Sequence, residues 1–108
     1  MNERIDSLQA HLRKHPQDRF AMYSLALEYK KLGEIDLAKA AFEELLQAHP
    51  QSGAGHYQHG LLWAEAGNVT AARAAWSTGL ERLLGLRTPD ARRSTSEIQA
   101  ALDDLDDD

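Results

Sequence analysis

The stretch PQSGAGHYQHGLLWAEAG, residues 50–67, repeats the pattern of residues 16–33. Tyr23 recurs as Tyr57, Leu27 as Leu61, Tyr29 as Trp63 and Gly33 as Gly67, each 34 residues on. The register holds past the glycines: Ile35 is answered by Val69, Ala38 by Ala72, Ala40 and Ala41 by Ala74 and Ala75, and Phe42 by Trp76. Self-similarity at a fixed period is the sequence mark of stacked structural repeats. The helix starts repeat as well, since Asp18 and Ser52, both good N-cap residues, each follow a proline (Pro16, Pro50) by two positions.

At that period the first copy reads Met22, Leu25-Ala26, Tyr29, Ala38, Phe42 and Pro50. These fall at the spacings of the tetratricopeptide pattern, with Met standing for its Trp, so the copy resembles a tetratricopeptide repeat. The second copy reads His56, His59-Gly60, Trp63, Ala72, Trp76 and Leu84. It departs from the pattern at the two histidines and at the closing proline. The resemblance implies an all-α chain: a right-handed stack of antiparallel helical hairpins, about six helices in one domain spanning 1–108. The divisions expected are an N-terminal capping helix over 2–14, repeat 1 over 17–50, repeat 2 over 51–84, a C-terminal capping helix over 88–105 and an acidic tail over 106–108.

Composition agrees. Only three prolines interrupt a chain rich in Ala, Leu, Glu, Lys, Arg and Gln, which favour helix. There is no cysteine, so disulfides, thiolate metal sites and a Cys nucleophile are excluded. The N-terminal stretch is charged from its third residue and no run is long and apolar enough for a membrane span. A cytoplasmic protein with no membrane insertion is therefore expected. The net charge of −5 lies entirely in Asp103, Asp104, Asp106, Asp107 and Asp108, which leaves twelve acidic and twelve basic residues before them. A neutral body lacks the basic stripe of a nucleic-acid surface. The nearest candidate, Arg82, Arg87, Arg92 and Arg93, straddles a helix break without interleaved aromatics.

Along the chain, Ile5, Leu8 and Leu12 give the first helix one apolar stripe, as expected of a cap over the first repeat. The helix over about 17–32 is apolar on two faces. Met22, Leu25, Ala26 and Tyr29 are expected to meet the partner helix of the same repeat, whereas Phe20, Tyr23 and Leu27 have no expected role in that repeat's own core. Ala26 and Ala38, echoed by Gly60 and Ala72, are small where the paired helices cross. Gly33 and Gly67 suit left-handed helix ends. Asn68 is a better N-cap than its counterpart Glu34, and Gly79 is expected to bend the last repeat helix or loosen its end. After Gly85 the period fails. Thr88 and Pro89 form a helix start, with Ser94 and Glu97 as an alternative, later one. Ala91, Thr95, Ile98, Leu102 and Leu105 follow as a single stripe. The closing aspartates oppose the helix dipole, so fraying is expected beyond about Leu105.

Chemistry-bearing constellations are sparse. His56 and His59, with His49 near in sequence, are the only metal-like cluster, and no carboxylate at matching spacing completes a site. Both occupy core positions of the repeat, where packing is the expected role. Glu43-Glu44 has no positioned partner and no nucleophile motif is present. Neither an enzyme nor a bound cofactor is expected.

What remains is a surface. In proteins of this family the first helices of successive repeats line a concave groove that holds a peptide or helix. The matching residues here are Phe20, Tyr23, Ser24, Leu27, Lys30 and Lys31, then Ala54, Tyr57, Gln58, Leu61, Ala64 and Glu65. The resemblance thus implies an interaction module, adaptor or scaffold, whose partner is another protein or peptide with an apolar or amphipathic segment. Chaperone-binding members carry a polar clamp for a peptide's C-terminal carboxylate. Tyr23, Leu27 and Gln58 stand at several of its positions, so that ligand is not expected. The alternatives are a homo-dimer through the same patch, a His-based metal-binding protein, or a covered patch in which Phe20, Tyr23, Leu27, Tyr57 and Leu61 are core beneath the C-terminal helix.

Overall fold

A computed structural model of the chain describes residues 2–106. Among them there are six helices and no strand: α1 (Glu3–Lys14), α2 (Arg19–Lys31), α3 (Ile35–Ala48), α4 (Gly53–Glu65), α5 (Val69–Leu83) and α6 (Pro89–Asp106). Contacts divide them into two compact units, Met1–His49 and Pro50–Asp108.

The helix boundaries follow from local chemistry. Asn2 caps α1, its side chain accepting from the backbone N–H of Arg4 and Ile5 at 2.8 and 3.1 Å. Asp18 caps α2 and Ser52 caps α4, each accepting from the N–H three residues on at 3.2 Å. Asn68 caps α5 through the Ala71 N–H at 3.0 Å, whereas Glu34 makes no side-chain cap on α3. The two first helices of the repeats end alike. Gly33 and Gly67 take φ of 76° and 82°. Glu34 and Asn68 then donate back to the Tyr29 and Trp63 carbonyls at 3.0 and 2.9 Å, the Schellman pattern that satisfies carbonyls left open at a helix end.

In the first unit α2 packs on α3 and α1 packs on α2. Ala26, Ala38, Phe42 and Leu45 are fully buried. The α1 stripe covers α2 through Ile5, which is buried, and two polar links run beside it: Gln9 donates to the Tyr29 hydroxyl at 3.1 Å, and Arg4 Nε pairs with Glu28 Oε1 at 2.8 Å.

In the second unit α4 and α5 form an antiparallel hairpin, with Gly60 and Tyr57 beside Trp76, His56 beside Gly79 and Gly53 beside Leu83. Helix α6 lies against both, with Ser94 at Gly53, Ile98 at Gly79 and Arg73 bonded to Asp106 at 2.7 Å. Ala72, Trp76, Leu83, Ala91 and Ile98 make its core.

The expected start of α6 at Thr88 and Pro89 holds, and two other expectations for this unit are refined. Helix α5 runs unbroken through Gly79, because the glycine serves close packing: a Cβ there would lie 2.8 Å from His56 Cβ and 3.3 Å from Ile98 Cδ1. Helix α6 begins at Pro89, with Thr88 Oγ1 accepting from the Ala91 N–H at 3.1 Å. The alternative start at Ser94 is not the one taken: Ser94 lies inside α6, buried at 2% exposure against α4. Asp106 belongs to the last turn of α6 and is held by Arg73, so the helix does not end at Leu105. The rest of the expected acidic tail, residues 107–108, lies outside the described residues.

Candidate peptide-binding surface

The residues expected to line a groove fall in both units. In the first they stand on α2. Phe20 is 76% exposed in its first turn, and Tyr23 and Leu27 are half-buried farther along the same face. Tyr23 does have a place in its own repeat, contrary to the expectation: its ring meets Phe42 of α3 edge-on, with centroids 6.0 Å apart. That geometry suits the quadrupoles of two aromatic rings. Ser24 is buried, so it offers no surface. Lys30 is half-buried and Lys31 exposed. The basic edge they were expected to make is partly offset, because Lys31 Nζ lies 3.6 Å from the Glu28 carboxylate that Arg4 also holds. Glu28 was missed in the sequence because it occupies an otherwise unremarked position between the two apolar faces.

In the second unit they stand on α4. Tyr57, Gln58 and Leu61 are half-buried and Glu65 is exposed. Tyr57 lies nearly parallel to Trp76, at 19° and 6.5 Å between centroids. The Trp76 indole N–H donates to the Tyr57 carbonyl at 3.0 Å, so a buried donor is satisfied and the large ring is fixed. Gly60 makes room for it, since a Cβ there would run into the indole. Tyr57, Leu61 and Ala64 pack against the core cluster of this unit and with Trp76 form one wall of an open cleft of about 410 Å³. The other wall is α6, through Glu97, Ala100, Ala101, Asp104 and Leu105. Helix α6 thus borders the Tyr57–Leu61 face and leaves a cleft along it.

The α6 wall was not legible beforehand, because α6 lies outside the 34-residue register and nothing in its sequence says which helix its stripe meets. A second opening, about 510 Å³, lies elsewhere in this unit, between the end of α5 and α6. Leu80, Leu84, Leu86 and Arg92 line it, among others, and it includes none of the expected residues.

Two of the histidines turn to backbone. His56 is buried and its Nε2 donates to the Pro50 carbonyl at 2.8 Å. Burial holds its imidazole below the ordinary range, His59 and Arg82 act in the same direction, and the Pro50 carbonyl opposes them. His49 Nε2 meets the Gln17 carbonyl at 2.7 Å. His11 Nε2 meets Asp18 Oδ2 at 2.7 Å, which is the main reason the Asp18 carboxyl sits below its usual range. Among the described residues no three His, Cys, Asp or Glu side chains converge as a metal-binding group, and no helix is long and apolar enough to cross a membrane.

The family model of the tetratricopeptide repeat matches residues 20–52, the whole of α2 and α3 apart from the first residue of α2. No curated protein matches the chain. Repeats of this family generally mediate protein–protein interaction. The hairpin of α2 and α3 therefore carries a tetratricopeptide repeat, and the second hairpin shares its first-helix cap position and its left-handed glycine end.

Proposed function

We propose that the protein is a non-enzymatic interaction module, an adaptor or scaffold of the cytoplasm, that takes an apolar or amphipathic peptide segment on the first-helix faces of its repeats. The observation that carries this reading is the cleft beside Tyr57 and Leu61: two of the residues expected to touch a partner line a concave, mainly apolar opening of about 410 Å³, within the size range of ligand pockets. Phe20, exposed at 76% on α2, supports it from the other repeat, because a bare aromatic is a common anchor in protein interfaces.

Selection from a random peptide display library tests the proposal. Selected peptides are expected to share an apolar anchor and to lose binding to a Leu61→Glu variant whose helicity is intact. Enrichment of no common motif, or motifs that bind this variant unchanged, would contradict it. Sedimentation of the peptide-free protein separates the competing reading, a homo-dimer through the same faces.

A further inference from the structure

The cleft between α4 and α6 has a charge as well as a shape. Its floor is apolar, from Tyr57, Leu61 and Leu105, and its α6 rim carries Glu97 and Asp104; no basic residue lines it. The two acids are two turns apart on one edge of α6, which sets their Cα atoms roughly 10 Å apart along the axis. Ala100 lies between them, a small residue that keeps the rim low. Both acids are exposed, and neither makes a hydrogen bond or ion pair among the described residues.

The surroundings do not neutralise them. From Glu97 to Asp106 the helix has four acidic residues and no Lys or Arg, and its last turn has no basic residue to offset the dipole. Asp104 lies in that last turn, at the negative end of the helix dipole, so the field at its end of the rim is more negative than its formal charge alone. The guanidinium of Arg73, on α5, is taken up by Asp106 at 2.7 Å. Arg93 stands one turn before Glu97 on α6, the nearest helix neighbour of opposite charge, and Asp104 has no basic residue within two turns before it on the same helix.

Resting on the reading of this face as a docking surface, we propose that the α4–α6 cleft selects a basic amphipathic segment: a bulky apolar side chain seated on Tyr57 and Leu61, flanked by Lys or Arg facing Glu97 and Asp104. The apolar floor supplies burial and the rim supplies the sign of the partner. Acidic segments are rejected because they would meet like charge at a partly dehydrated edge.

The test uses the full chain and three synthetic peptides that share one Leu-Trp anchor and differ only in flanks of Lys, Gln or Glu, titrated calorimetrically at low and high salt. The Lys peptide is expected to bind about tenfold more tightly than the Gln peptide at low salt, with the gap shrinking as salt screens the rim. The Glu peptide should bind most weakly. Glu97→Gln with Asp104→Asn should bring the Lys peptide's affinity down to near that of the Gln peptide without lowering the melting temperature. Leu61→Ala should weaken the Lys and Gln peptides alike. Equal binding of all three peptides would overturn the charge selection and leave the docking surface standing. A Lys preference that survives the double variant would overturn the assignment to this rim. Absence of binding by any of the three would overturn both readings.

Discussion

The two repeat hairpins occupy the same positions with different side chains. In the first unit Ala26, Phe42 and Leu45 are fully buried. At the same places in the second unit, 34 residues on, stand Gly60, Trp76 and Gly79. The larger indole is matched by the loss of a methyl across the crossing, where a Cβ on Gly60 would run into Trp76. The leucine side chain missing at Gly79 leaves room that His56 and Ile98 fill, the latter from α6. What the repeat preserves is filled volume rather than residue identity, and the second hairpin completes its core only with the capping helix.

The largest effect should come from removing the piece that α6 lends. Ile98, fully buried, changed to Ala is expected to destabilise the protein by about 2–5 kcal/mol, as deletion of buried aliphatic side chains does. Thermal melting checks it, and a loss below about 1 kcal/mol would mean that α6 is not part of this core.

The crossing itself can be exchanged between repeats. Gly60→Ala is expected to cost about 1–3 kcal/mol through overpacking and Trp76→Phe a similar amount through the gap it leaves. The double variant reproduces the Ala26–Phe42 pairing of the first unit and should be more stable than the sum of the two losses by on the order of 1 kcal/mol. Simple additivity would show that the two positions are not exchanging volume.

A subtler difference separates Met22 from His56, its counterpart. Because burial lowers the pKa of His56, the unfolded chain takes up the proton more readily than the folded one. The stability His56 contributes is therefore complete above its ordinary pKa of 6.5 and is lost as pH falls below that value. His56→Met, the residue of the first repeat, should flatten the fall in melting temperature between pH 7 and 5. An identical pH profile for both proteins would remove His56 as a source of acid sensitivity.

The smallest effect belongs to the Arg73–Asp106 bond. Both side chains are largely exposed, at 45% and 63%, so Asp106→Asn is expected to cost less than about 1 kcal/mol. A larger loss on denaturant unfolding would mean that the end of α6 is anchored more firmly than an exposed ion pair allows.

How far the sequence could be read follows the same division. Wherever the period carried the information it was legible: Asp18, Ser52 and Asn68 as caps, Gly33 and Gly67 as left-handed ends, and the small residues at the crossings. These are local requirements of the backbone, and each residue type has a specific conformational or hydrogen-bonding reason to be there. What was not legible depended on pairing between helices. Gly79 has the same propensity whether it bends a helix or admits a neighbour, and only the approach of His56 and Ile98 distinguishes the two. Tyr23 could be placed on a face but not against Phe42. The candidate cleft was half legible, because Tyr57 and Leu61 come from the repeat register, while Glu97, Ala100 and Asp104 come from a helix whose partners the period does not specify.

Whether the second repeat and its capping helix form the docking cleft is decided by mapping amide chemical shifts of the full protein as the Lys-flanked peptide is added. Saturable shifts are expected centred on Tyr57, Leu61, Ala64, Glu97, Ala100 and Asp104, with little change around Leu84, Leu86 and Arg92 at the other opening of the same unit. Shifts centred on that second opening, or no saturable shifts at all, would contradict it.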